Sequence, residues 1–243
     1  MAPGAARYRK HGKRTRRTNR FLLAHQHLWV IIALRMPEQD HWLEELLHQA
    51  KMAHEQEREA VVAELLGPYL EYRSQDSYAW FLFGDALRVI GLSDEAERAL
   101  LKAVELSPGP DWVLQMTLAH LYKDNGNHVE AEKWFELAAE DDAAAEQAWF
   151  WVLRGSNLAS HGQFKQAEKC FRQAVALQDD NRDEAYLNLG YVLRSQGRYF
   201  EARRQFQQAL ELNPDYALAD RALQSIDGIE KAISLARQFQ SES

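Results

Sequence analysis

The sequence predicts an all-α protein built from stacked helical hairpins, and three observations carry that prediction. Apolar residues recur at three- and four-residue spacing, which lines up one face of a helix. Gly84, Ala119, Gly155 and Gly190 stand 35 or 36 residues apart, and each is followed twelve residues later by an alanine: Ala96, Ala131, Ala167 and Ala202. Between each pair lies a turn former: Gly91, the run Asp124-Asn125-Gly126-Asn127, His161-Gly162 and Gly197. A glycine or alanine inside an apolar stripe lets a neighbouring helix approach the backbone. Two such helices cannot bury their apolar faces alone, whereas a stack of hairpins can.

The stretch from Asp183 to Pro214 shows the pattern most fully. Tyr186, Leu189, Gly190 and Leu193 form the inward face of one helix, and Gly197 breaks it. Tyr199 and Phe200 restart the pattern, and Ala202, Phe206, Ala209 and Leu210 face inward from a second helix. Asn213-Pro214 ends that helix, because proline disfavours a helical conformation in the residue before it. An aromatic, Leu-Gly, a large apolar residue, Ala, an aromatic, Ala and Pro in this order resemble the tetratricopeptide repeat (TPR), with Leu193 in the usual tyrosine position. The resemblance implies a right-handed α-α superhelix, a helical-hairpin solenoid that serves as a protein-binding scaffold.

From the amino terminus, residues 1–20 form a basic arm with Arg7, Arg9, Lys10, Lys13, Arg14, Arg16, Arg17 and Arg20. Pro3, Gly4 and Gly12 oppose regular structure there. The chain as a whole has a formal charge of -7, yet residues 1–37 carry nine Lys/Arg and no Asp/Glu. The arm is therefore expected to bind anions, either nucleic acid or an anionic membrane surface. A disordered solubilising tail, or a stretch ahead of the true start, is the alternative. Residues 21–36 hold a short apolar segment interrupted by His25, Gln26 and His27. A basic stretch before an apolar run is also the pattern of an export signal or anchor, but this one is short for a span of roughly 20 residues. Met36-Pro37 offers a later start. The single cysteine, Cys170, excludes an intrachain disulfide, which fits a reducing compartment and a cytoplasmic reading.

Residues 38–76 are expected to form a helical cap or degenerate repeat. Trp42, Leu43, Leu46 and Leu47 make one apolar stripe, and Val61, Val62, Leu65 and Leu66 another. Leu46, Ala50, Ala53, Val62, Leu66 and Tyr69 precede matching positions of the next repeat by 34 residues. One long helix is the competing reading, since 53–59 offers no Gly or Pro, and Gly67-Pro68 is expected to mark a boundary. His41, His48 and His54 lack the spacing of a zinc-protease motif, and no metal is expected.

Four repeats then fill residues 77–214. The first carries Trp80, Phe83, Gly84, Leu87, Ala96, Leu100, Ala103 and Pro108, with Ser93 or Asp94 as helix cap. The second carries Leu118, Ala119, Tyr122, Ala131, Phe135 and Ala138. The third carries Trp151, Gly155, Leu158, Ala167, Phe171 and Ala174, with Arg154 in place of leucine and Asp179 in place of proline. The repeats favour one elongated body. Residues 215–240 read as a capping helix with Ala219, Leu223, Ile226, Ile229, Ile233 and Leu235 as apolar members, kinked or divided at Asp227-Gly228.

What the TPR resemblance implies for function is a groove lined by the first helix of each repeat. Its positions fall on Phe81, Asp85 and Arg88, then Met116, His120 and Lys123, then Trp149, Val152 and Ser156, then Leu187, Asn188, Tyr191 and Arg194. Arg88, Lys123 and Arg194 are expected to meet carboxylates of a protein or peptide partner. Asn188 and Arg194 match part of the family's carboxylate clamp, and Asp85, Ser156 and Tyr191 depart from it. A TPR-like secretion chaperone is a related alternative, given the acidic body. An enzyme is the different-class alternative, but the chain has no glycine phosphate loop, nucleophile motif or metal-ligand spacing. No cofactor is expected.

Overall fold

Connections of a few residues between amphipathic stretches oblige consecutive helices to fold back on each other. In the computed structural model, which describes residues 39–177 and 182–241, twelve helices and no strand occur among those residues. They are α1 (Gln39–Glu55), α2 (Glu59–Tyr72), α3 (Ser77–Val89), α4 (Ser93–Leu106), α5 (Trp112–Asp124), α6 (His128–Ala138), α7 (Asp142–Ala145), α8 (Ala148–Ser160), α9 (Phe164–Ala176), α10 (Arg182–Ser195), α11 (Tyr199–Leu212) and α12 (Ala217–Ser241). The basic arm, the apolar segment at 21–36, Met36-Pro37 and Asp179 lie outside the described residues. No helix among those described is long and apolar enough to cross a membrane.

The chain divides within α5 into two units, residues 1–117 and 118–243. In a repeat array each hairpin touches its sequence neighbours, so few contacts resist such a division. In the first unit α1 pairs with α2, α2 with α3, and α3 with α4. Asp76 joins two of these pairs: it caps α3 by accepting from Ala79 N at 3.0 Å, and it accepts from the Tyr69 hydroxyl of α2 at 2.7 Å. In the second unit α8 pairs with α9, α9 with α10, α10 with α11 and α11 with α12. Phe171, Phe206, Leu189, Leu193 and Ile226 form its continuous core. Each fully buried large side chain there contributes about 1.5–3 kcal/mol.

The small residues do what their position implies. A Cβ on Gly84 would stand 2.7 Å from Leu100 Cγ, and one on Gly155 would stand 2.8 Å from Phe171 Cε1. On Gly190 it would run still deeper into the Phe206 ring. In each of these hairpins the second helix therefore inserts a large residue into the space left by the first helix's glycine.

The turns are equally regular. Gly91, Gly126, Gly162 and Gly197 have φ of 83°, 77°, 78° and 76°, the left-handed conformation that glycine adopts without strain. Around each, the next residue's N–H reaches back across the turn: Leu92 to Leu87, Asn127 to Tyr122, Gln163 to Leu158 and Arg198 to Leu193, at 2.8–3.0 Å. Such bonds satisfy carbonyls left open at the helix end.

Residues 39–72 form a hairpin with the same turn. Arg58 N donates to Ala53 O at 2.9 Å, and Glu57 takes the glycine's place with φ of 54°. Glu57 precedes Gly91 by 34 residues, the offset of the apolar matches. A non-glycine residue at the left-handed position is why 53–59 looked uninterrupted.

Three expectations are corrected. Gly67-Pro68 is no boundary, because α2 runs through both residues and Pro68 is buried within it. Proline's missing N–H removes one backbone bond, and burial of that helix face holds the helix together regardless. Neither Ser93 nor Asp94 caps α4. Leu92 occupies the cap position, with no side-chain bond. Asp227-Gly228 does not divide α12, which is continuous, and Ala219, Ala222 and Ile226 are buried along it.

Glu57→Gly is expected to stabilise the protein by about 1 kcal/mol by relieving the left-handed strain. Urea denaturation of both proteins checks this, and the midpoint should rise without a change in slope.

Candidate interaction surface

The groove positions implied by the repeat resemblance recur at helical spacing. On α3, Phe81, Asp85 and Arg88 are four and three residues apart and share one face. Phe81 is half-buried, and its ring lies 6.3 Å from that of exposed Tyr78. Lys51 Nζ stands 5.0 Å from the Tyr78 ring centre, a cation on an aromatic face. Asp85 accepts from Arg88 Nε at 2.9 Å and Nη2 at 2.7 Å, so that guanidinium is already opposed by a carboxylate of its own helix. Met116, on the part of α5 in the first unit, is half-buried.

In the second unit, His120 Nε2 lies 3.5 Å and Lys123 Nζ 3.6 Å from Asp124 carboxylate oxygens. Ser156 of α8 is half-buried and donates to Val152 O at 2.8 Å. On α10, Asn188, Tyr191 and Arg194 are half-buried. The Arg194 guanidinium lies 5.0 Å from the Tyr191 ring centre, and that ring meets Phe206 edge-on at 5.4 Å. Arg194 is thus held on an aromatic that rests on the core. Trp149 is half-buried.

Two expected groove residues are withdrawn into the core: Leu187 is 3% exposed and Val152 8%, and both belong to the apolar cluster of the second unit. The expectation of three cations waiting for a partner's carboxylates also changes. Arg88 and Lys123 stand beside Asp85 and Asp124, whereas Arg194 stands on Tyr191.

The fold also assembles polar groups that the sequence did not bring together. Arg154, in place of an apolar residue, is paired across the repeat junction with Glu132 Oε1 of α6 at 2.7 Å. Burial pushes the Glu132 carboxyl up, against the opposing effect of Arg154 and of its hydrogen bonds from Arg154 and Asn157. Asn157, 1% exposed, donates to Glu132 Oε2 at 3.3 Å and to His128 O at 3.0 Å. Trp151, Arg154 and Cys170 line a cleft of about 470 Å³ beside this network. Burial pushes the Cys170 thiol up to about 11, so at neutral pH it is a protonated packing residue rather than a nucleophile.

A second carboxylate occupies the corresponding place one repeat later. Glu168 follows Ala167 as Glu132 follows Ala131. It accepts from Gln196 Nε2 at 2.8 Å and Arg198 Nη1 at 2.7 Å, and it pairs with Arg172. Burial pushes its carboxyl up. The hydrogen bonds from Gln196 and Arg198 and the charges of Arg172 and Arg198 outweigh this and hold it below the usual range. A charge in place of leucine at Arg154 was the one visible signal that such cross-repeat pairing exists.

Of the three histidines weighed as metal ligands, His54 has a local partner. His54 Nδ1 lies 3.1 Å from Glu59 Oε1. Among the described residues no group of three or more His, Cys, Asp or Glu side chains converges as a metal site.

Comparison with known proteins bears on the whole scaffold. Tetratricopeptide repeat profiles match residues 77–110, 114–142, 150–181 and 183–216, just over half of the chain. The chain is 28% identical over 156 residues to human protein O-mannosyl-transferase TMTC1, a match covering 63% of this chain and 17% of that protein. The mouse counterpart is 27% identical over 155 residues, covering 63% and 16%. The chain thus spans about a sixth of the length of these relatives. Among solved structures, MamA 41-end from Desulfovibrio magneticus RS-1 superposes with a TM-score of 0.65 at 15% identity, over 72% of this chain and 97% of that one. YrrB, a TPR protein with an unusual peptide-binding site, superposes with a TM-score of 0.62 at 18% identity, over 73% and 89%. At these identities the likeness concerns the fold.

The Glu168 network generates a pH prediction. A carboxylate with a depressed folded-state pKa stabilises the fold above its unfolded value of about 4.3, and that contribution disappears as pH falls through the folded value. Glu168→Gln should cost about 1–2 kcal/mol at pH 7. The gap to the unsubstituted protein should close in acid. Denaturation curves at several pH values between 7 and 3 check the sign.

Proposed function

This chain belongs to the tetratricopeptide repeat family, and from that premise we propose that it is a non-catalytic protein-interaction scaffold whose first helices hold a partner peptide or domain. The observation that supports this reading best is a register repeated from helix to helix. The residue after each signature small residue and the residue three further on share a face, as Asp85 and Arg88 do on α3 and Tyr191 and Arg194 on α10. On α3 this face adds the aromatic pair Tyr78 and Phe81, suited to an apolar or aromatic anchor. On the second unit, Ser156, Asn188, Tyr191 and Arg194 combine a hydroxyl, an amide, a ring and a fixed cation. Such a set suits a peptide carrying an acceptor next to an apolar group. His120 and Lys123 extend the set on α5, and Met116 adds an apolar side chain in the first unit. The peptide-binding site of YrrB, on a chain of the same fold, is in keeping with a peptide ligand here. The activity of the O-mannosyl-transferases is not part of this reading.

Site-specific photo-crosslinking tests the assignment. The full chain carries a benzoylphenylalanine at position 81, at position 191 or, for comparison, at Phe200. Phe200 is 76% exposed on a second helix. Positions 81 and 191 should yield reproducible adducts with a partner, and Arg194→Glu should reduce those at 191 at unchanged helicity. Adducts formed at 200 alone would place the interface on the second helices instead.

A further inference from the structure

The fold brings together two histidines that lie 33 residues apart in sequence. His128 opens α6 and His161 follows the last residue of α8, and their ring centres are 6.1 Å apart at 45°. Both line one cleft of about 180 Å³, together with Glu132 and Glu136 from successive turns of α6.

The hydrogen bonds fix the tautomer of His128. The Asn157 amide nitrogen donates to two acceptors, His128 O and Glu132 Oε2. Its amide oxygen is therefore the atom facing His128 Nδ1, at 2.9 Å. An oxygen accepts only, so Nδ1 carries the proton and donates. In the neutral ring, Nε2 on the far side from Asn157 then presents a lone pair. A histidine whose Nδ1–H is held by a buried acceptor is oriented as metal-ligating histidines are.

We propose that His128 and His161 bind one first-row divalent cation such as zinc, with water completing its coordination. Two imidazoles on a tetrahedral ion have ring centres roughly 5 Å apart, given metal–nitrogen bonds of about 2.0–2.1 Å. Rotation of exposed His161 supplies the remaining approach. Nearby cations do not oppose the ion strongly, since Lys133 pairs with Glu130 at 2.6 Å and Arg154 with Glu132 at 2.7 Å. Glu136, on the cleft wall, adds negative charge.

The location gives the ion a mechanical consequence. The connection from α6 to α8 spans residues 139–147 and contains the extra turn α7, whereas α4 to α5 needs only 107–111. Correspondingly, α6 packs less extensively on α8 than α9 does on α10. An ion between His128 and His161 ties the start of α6 to the end of α8 across this thinner junction.

Calorimetric titration of the chelator-treated full chain with zinc chloride tests the site, with His161→Ala, His128→Ala and, from the first unit, the exposed His48→Ala as variants. Unsubstituted protein and His48→Ala should bind one equivalent alike. His161→Ala, at a surface position where folding is not at risk, should bind at least tenfold more weakly. Nitrogen-15 spectra of the zinc-free protein should show the Nδ1–H tautomer of His128, and zinc should shift its Nε2 resonance. Undiminished binding by His161→Ala, no binding by the unsubstituted protein, or an Nε2–H tautomer at His128 would overturn the proposal.

Discussion

A large side chain of one helix seated on a missing side chain of its partner is the contact on which the rest of this structure depends. Leu100 on Gly84, Phe171 on Gly155 and Phe206 on Gly190 set how closely the two helices of a hairpin approach. That approach orients the adjoining face of the first helix. Tyr191 lies next to Gly190, packs edge-on against Phe206, and carries Arg194. The core contact and the candidate binding face are therefore two sides of one helix turn. A substitution that opens the hairpin would displace the surface without touching it.

Between hairpins a second, polar device operates. Glu132 and Glu168 stand at the same place after the signature alanine, and each is held by cations or amides of the following repeat. Their environments differ. Burial dominates at Glu132 and pushes its carboxyl up, whereas hydrogen bonds and charge dominate at Glu168 and hold its carboxyl down. A paired buried carboxylate is weak support for stability in itself, but removing its partner leaves an uncompensated charge. Loss of either partner is therefore costlier than the net contribution of the pair.

The hairpins were legible in sequence because each depends on local residues with strong preferences: glycine at a left-handed turn, glycine beneath a phenylalanine, apolar residues at helical spacing. Legibility failed where context overrode preference. Glu57 holds a conformation that its side chain disfavours, so the first turn was ambiguous. Pro68 lies inside a helix that burial sustains. Groove positions could be assigned by register, but register cannot show that Val152 and Leu187 belong to the core. Nor can it show that Arg88 folds back onto Asp85. The pairing of Arg154 with Glu132 and of His128 with His161 joins different hairpins, and spacing along the chain carries no trace of it.

A double-mutant cycle at Gly190 and Phe206 tests the central contact most directly, by chemical denaturation of four proteins. Gly190→Ala should destabilise the unsubstituted protein by about 1–3 kcal/mol through overpacking. In the Phe206→Ala background the clash is gone and alanine's helix preference of about 0.5–1 kcal/mol remains, so the same substitution should become neutral or stabilising. An equal destabilisation in both backgrounds would contradict the account, because the closeness of the two helices would then owe nothing to the ring seated on the glycine.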